Sequence, residues 1–157
     1  MRSFVRRNGR ITSAQTRALD RLLDRFAVPA RGVLHFSDIF DRLAPISLEI
    51  GSGNGECIAA FAGANPANNY LAVEVHRPGV GHLLNLAANA AIDNLRVAIE
   101  DVWTLLPRIK PDSLATVYIF FPDPWPKARH HKRRLLQADF FAALRPCMQR
   151  HGRVYIA

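Results

Sequence analysis

Along the first 45 residues apolar positions recur at helical spacing; from residue 46 onward short apolar runs alternate with helical stretches. Leu19, Leu22, Leu23 and Phe26 share one face, and Ser13 stands where a cap belongs, so the spacing predicts a helix over 14–26. Pro29 and Gly32 interrupt the pattern. Phe36, Ile39, Phe40 and Leu43 suggest a second, short helix closed by Pro45. Beyond it, apolar runs at 46–50, 70–75, 95–99, 114–121 and 153–157 read as strands. Helical stretches are expected at 55–63, 79–91, 102–108 and 132–145, the last presenting Leu136, Phe140, Phe141 and Leu144 on one face. Strands that alternate with helices imply crossover connections and a parallel sheet covered on both sides, an α/β fold. The chain divides into a basic arm with helices, 1–45, and a sheet unit, 46–157, expected to form one structural domain.

The first strand runs into a glycine turn, Leu48-Glu49-Ile50-Gly51-Ser52-Gly53-Asn54-Gly55-Glu56. Glycines at a strand-to-helix turn permit tight reversal and close approach of a ligand to the backbone. The third glycine comes one residue too early for the dinucleotide pattern, and no phosphate-binding lysine follows. Acids mark three successive strands: Glu49 before the loop, Glu74 at the end of the second strand, Asp101 after the third. In open α/β sheets that edge binds ligands. The ligand implied is an adenosine-type cofactor without a pyrophosphate, with Glu74 placed for both ribose hydroxyls; S-adenosylmethionine fits.

The fourth strand ends in Phe120-Phe121-Pro122-Asp123-Pro124-Trp125-Pro126. Three prolines fix φ and withhold donors, so this segment is a stiff loop presenting Asp123 and Trp125. Lys127, Arg129, His130, His131, Lys132, Arg133 and Arg134 follow, with no acid until Asp139. A fixed carboxylate beside a dense cationic run suits a polyanion held while one of its bases is modified. Trp125 either stacks on a base or packs beneath the loop.

Charge reinforces the nucleic-acid reading. The formal net charge is +8, and a second basic cluster, with Arg2, Arg6, Arg7 and Arg10, occupies the N-terminus. That arm lacks the apolar stretch of a signal peptide, and no apolar run is long enough to span a membrane. Cys57 and Cys147 lie far apart with no CxxC, so reduced thiols, a cytoplasmic setting and no metal are expected.

The arm Arg2-Ser3-Phe4-Val5-Arg6-Arg7-Asn8-Gly9-Arg10, the glycine loop, Glu74-Val75-His76-Arg77-Pro78-Gly79 and the Pro-Asp-Pro-Trp segment with its basic tail together resemble the bacterial tRNA (guanine-N7-)-methyltransferases. The resemblance covers nearly the whole chain. It implies a Rossmann-like, class I S-adenosylmethionine-dependent methyltransferase fold, acting on N7 of a guanosine in the tRNA variable loop. It further implies cofactor contacts at Glu49, Glu74, Asp101 and Asp123, with Asp123 at the catalytic centre. Lys127 would touch the substrate, and the residues from Arg129 to Arg134 would meet the RNA. Family members continue past the fifth strand with an aspartate, a helix and closing antiparallel strands, which are missing here. The expectation is therefore an exposed edge at 153–157, prone to self-association. The alternative reading is an RNA-binding remnant that keeps the cofactor site without transferring a methyl group.

Overall fold

A computed structural model of the chain describes residues 10–157; Arg2, Arg6 and Arg7 of the basic arm lie outside the described residues. Helix α1 (Ser13–Phe26) is capped by Thr12 rather than Ser13. Thr12 Oγ1 accepts from the Gln15 N–H at 3.2 Å while Gln15 Oε1 accepts from the Thr12 N–H at 2.9 Å, a reciprocal box that satisfies two otherwise unpaired donors. The apolar stripe read from the sequence buries Leu19 and Phe26. Helix α2 (Phe36–Phe40) makes little more than one turn, because Asp41 adopts a left-handed conformation with φ 52°. Leu43, expected on its buried face, falls beyond that reversal and is exposed.

Five parallel strands follow: β1 (Ile46–Ile50), β2 (Asn69–Val73), β3 (Leu95–Ala98), β4 (Leu114–Ile119) and β5 (Met148–Ile156), in the order β3-β2-β1-β4-β5. They alternate with α3 (Glu56–Ala64), α4 (Arg77–Asn89), α5 (Val102–Leu105) and α6 (Ala138–Leu144). Strand alternation sends Leu48, Ile50, Leu71, Val73, Val117 and Ile119 to a core shared with α2, α5 and α6. Tyr70, Ala72 and Val97 go to the opposite core, with Leu19 of α1, Ile58 of α3 and Leu83 of α4. Thus α1 covers the same sheet as the helices between strands. It approaches α4 so closely that a Cβ on Gly81 would stand 2.7 Å from the Gln15 carbonyl oxygen.

Three expectations are corrected. The second and fourth strands stop at Val73 and Ile119, because their last expected residues turn away to line the sheet's carboxyl edge. The helix expected over 132–145 is two pieces: a 3₁₀ helix (Ala128–Arg133) and α6, separated by an extended Arg134 with ψ 137°. A continuous helix would pair the His131 and Arg134 carbonyl oxygens with the backbone N–H groups four residues on. Instead the Gln137 amide nitrogen donates to the His131 and Arg134 carbonyl oxygens at 3.0 and 2.7 Å and closes the tight turn. Finally, β5 begins at Met148, not 153; the register slips between Leu114–Met148 and Thr116–Arg153, so only the later part pairs regularly with β4. This strand forms one edge of the sheet, and Val154, Tyr155 and Ile156 are exposed on it.

A buried amide ties the turn between α3 and β2 to the start of β3. Asn94 Nδ2 donates to the carbonyl oxygens of Ala62, Asn65 and Asn68 at 3.0, 3.2 and 2.9 Å, satisfying the carbonyl end of α3. Replacing it with leucine strands those acceptors away from water. Asn94→Leu is expected to lower unfolding stability by ~1–3 kcal/mol, measured by urea denaturation.

Candidate active site

Strands β2 and β3 extend from one side of β1, and β4 and β5 from the other, so the direction of winding switches between β1 and β4. At such a switch the loops leaving the two central strands part, and a crevice opens at their carboxyl ends. Here Gly51 and Gly53 follow β1, Glu74 and His76 follow β2, Glu100 and Asp101 follow β3, and Phe121, Pro122 and Asp123 follow β4; all line one cleft. Two motifs about seventy residues apart in the chain become neighbours because their strands pair in register, Glu49 beside Tyr118.

The glycine loop is built to face a ligand. Gly51 and Gly53 have φ of 73° and 58°, and nothing lies within 4 Å of the position a Cβ would take on either. A side chain there would be strained and would fill the cleft. Gly55, with φ 77°, serves packing instead: it begins α3, and a Cβ would collide with Leu83 at 2.5 Å. Gly79 at the start of α4 passes under the loop so tightly that a Cβ would stand 2.1 Å from the Gly53 carbonyl oxygen.

Glu74 holds this arrangement. Its carboxylate accepts from the Gly53 N–H at 2.7 Å, from Val75 at 2.7 Å and from His76 at 2.8 Å. Of about four acceptor directions on a carboxylate, three are used by backbone, so room for about one further donor remains, where the sequence pattern assigns it both ribose hydroxyls. Asp101 caps α5 by accepting from the Trp103 N–H at 3.1 Å and also borders the cleft.

Glu49 stands apart from the lining. It is buried behind the loop, its side chain on the face of β1 opposite Leu48 and Ile50. Burial pushes its carboxyl up from an ordinary 4.5 to about 7, against a lowering by the Ile58 backbone N–H, with the Glu74 charge adding a further rise. Among the described residues, Glu49 Oε2, Ser52 Oγ and His76 Nε2 are buried without a hydrogen-bond partner. Ser52 and His76 do not stand out in the sequence, nor does His82, whose Nδ1 lies 3.1 Å from the Asn54 carbonyl oxygen and steadies the loop. A serine within a glycine turn and two histidines about a helix start carry no signal of their own; Ser52 is in the loop by sequence, and only packing brings the histidines to it.

The proline-rich loop is strained where it leaves β4. Phe121 and Trp125 have φ of 48° and 41°, left-handed values that side-chain-bearing residues rarely adopt. Each precedes a proline, which excludes the right-handed helical region. Trp125 packs within the loop, edge to face with His130 at 5.5 Å and beneath the Arg133 guanidinium at 5.0 Å. Arg134 Nε donates to the Pro124 carbonyl oxygen at 3.0 Å. Lys127, Arg129, His131, Lys132, Arg133 and Arg134 are exposed, whereas His130 is half-buried. Asp123 and Leu135 both border the cleft, so the basic segment is an excursion whose two ends are anchored there.

Comparison with known proteins agrees with this geometry. Residues 43–157 match the model of a family described as "Putative methyltransferase". A tRNA (guanine-N(7)-)-methyltransferase of Halorhodospira halophila is 50% identical, over 99% of this chain and 69% of its own length. Its namesake from Nitrosospira multiformis is 46% identical over 100% of this chain and 69% of its own. The solved structure of an S-adenosylmethionine-dependent methyltransferase from Thiobacillus denitrificans in complex with S-adenosyl-L-homocysteine superposes with a TM-score of 0.54 at 12% identity, over 98% of this chain and 51% of that one. The fold is Rossmann-like, of the class I methyltransferases.

The state of Glu49 sets a pH dependence. A carboxyl whose folded pKa lies above its unfolded value contributes stability in full below the unfolded pKa and loses it as the pH rises through the folded one, here from about 4.5 to about 7. Glu49→Gln mimics the protonated form. Its melting temperature relative to the parent chain should climb between pH 5 and 7 and level off above; a difference constant across that range would mean that Glu49 does not titrate there.

Proposed function

Since this chain belongs to the tRNA (guanine-N7-)-methyltransferase family, we propose that it methylates N7 of a guanosine in the variable loop of tRNA. The observation that carries the reading is the meeting of the glycine loop with the Pro-Asp-Pro-Trp loop in one cleft, with the basic segment anchored at its lip. The cofactor of the family is S-adenosylmethionine, which when bound supplies an electrophilic methyl group on a sulfonium. The residues present suit it: an open glycine backbone, a carboxylate with one acceptor direction to spare, and the apolar walls of Val75 and Val102 for a flat purine. Gly51 and Gly53 would admit it, Glu74 would take a ribose hydroxyl, and Asp101 and Asp123 would complete the polar contacts. Glu49 would act through the first turn of α3.

The chemistry asks little of acids and bases. Guanine N7 carries an in-plane lone pair and no proton, so no general base is needed before transfer. What the protein must do is hold N7 in line with the methyl group. A fixed carboxylate at Asp123 then offsets the positive charge that passes to the purine ring. Lys127, Arg129, Lys132, Arg133 and Arg134 would neutralise RNA phosphates, with His130 and His131 beside them. Trp125 serves as the post on which this segment is hung.

Three measurements test the reading. With bulk tRNA, the methylated atom should map to guanine N7, and Asp123→Ala should slow transfer by roughly 10²–10³-fold; modification of another atom, or an undiminished rate, would overturn it. Replacing Arg129 and Lys132 by alanine should weaken tRNA binding and flatten the slope of log affinity against log salt by about two. Gly79→Ala, which drives a methyl group into the Gly53 carbonyl, is expected to weaken cofactor binding by at least about tenfold, equivalent to ~1.4 kcal/mol, by titration calorimetry.

A further inference from the structure

Phe121 is the anomaly of the cleft. Its side chain is 84% exposed although it follows a strand whose other large apolar residues are covered. Its backbone is left-handed, φ 48°, a conformation costing on the order of 1–3 kcal/mol for a residue with a side chain. Yet it is pinned: its N–H donates to the Ala157 carbonyl oxygen at 2.8 Å, and Pro122 follows. The preceding Phe120 behaves ordinarily, its ring 5.6 Å from Tyr118. The chain therefore reverses at Phe121 in a way that holds a large aromatic ring in water, on the lip of the cleft and two residues from Asp123. Hydrophobic burial would favour the ring turned in; the proline after it and the hydrogen bond before it hold the backbone that turns it out.

A flat, apolar, solvent-exposed ring beside a cleft that accepts a purine is a platform for a base. Aromatic side chains hold unpaired bases by stacking, whatever the base, while hydrogen bonds choose it. Resting on the function proposed above, we infer that Phe121 stacks on the target guanine, or on the base next to it, and presents N7 to the cleft. Phe121 is then a substrate-positioning residue: it sets the angle at which the purine enters, and Asp123 meets the charge that results.

The test compares Phe121→Ala, Phe121→Leu and Phe121→Trp with the parent chain. Single-turnover methylation of tRNA, cofactor affinity by calorimetry and melting temperature are measured for each. A stacked base is worth ~1–3 kcal/mol, equivalent to roughly 5- to 150-fold, so alanine and leucine should slow transfer within that range at unchanged cofactor affinity and melting temperature. Tryptophan, which restores a π face, should recover most of the rate. Leucine performing as well as phenylalanine would show an apolar rim and no stacking, and would overturn the inference. So would a loss of cofactor affinity that accounts for the whole rate change. A parent chain that methylates tRNA while Phe121→Ala keeps pace sinks this inference alone. A parent chain that leaves tRNA unmethylated sinks the proposed function, and the inference with it.

Discussion

One carboxylate, Glu74, accepts three backbone N–H groups, from Gly53, Val75 and His76. The first belongs to the loop after β1 and the other two to the turn after β2, so a single side chain fixes the relative position of two strand ends. Backbone donors to a charged acceptor give strong bonds, and a half-closed site strengthens them further. Gly79 slides beneath Gly53 only because this loop is held in place and because Gly79 carries no Cβ. His82 adds its bond to the next carbonyl along, that of Asn54. The open glycine face of the cleft is thus a consequence of Glu74 and of the close packing of α4.

The opposite wall is organised by restriction instead of by hydrogen bonding. Prolines at 122, 124 and 126 remove the usual backbone choices, and Phe121 and Trp125, each just before a proline, occupy left-handed conformations. Trp125 then collects His130 and Arg133, while Arg134 returns to Pro124. This gives the cationic segment a defined course despite the mutual repulsion of its charges. The two walls differ in kind: one is a flexible glycine backbone clamped by a charge, the other a stiff backbone strained by proline. In the function proposed above, a cofactor that must be enclosed and a base that must be presented would make those separate demands.

Much of this was legible in the residues alone. The parallel sheet follows from short apolar runs alternating with helical stretches, since both faces must be covered. The positive φ of Gly51, Gly53 and Gly55 follows from a glycine-rich turn, and the stiffness of the proline loop from fixed φ. The break in the helix expected at 132–145 was not legible, because it depends on the Gln137 amide reaching two carbonyls and not on any breaker residue. The early start of β5 was hidden for a similar reason: Met148 pairs with Leu114 across a register slip that no local pattern records.

By itself the sequence determined which chemical groups the chain owns and which segments could not be helix or strand: the glycine turn, the acids at strand ends, the rigid Asp123, the basic run. These are properties of single residues and nearest neighbours, and they hold in any fold. Only the tertiary structure decided how the groups are shared out. It turned Glu74 largely toward backbone, sent Glu49 behind the loop instead of into the cleft, brought His76 to the site, and left Phe121 in water. The physical reason is that strand order and helix packing, which arise from contacts between distant residues, choose the face on which each side chain emerges and the partner it meets there.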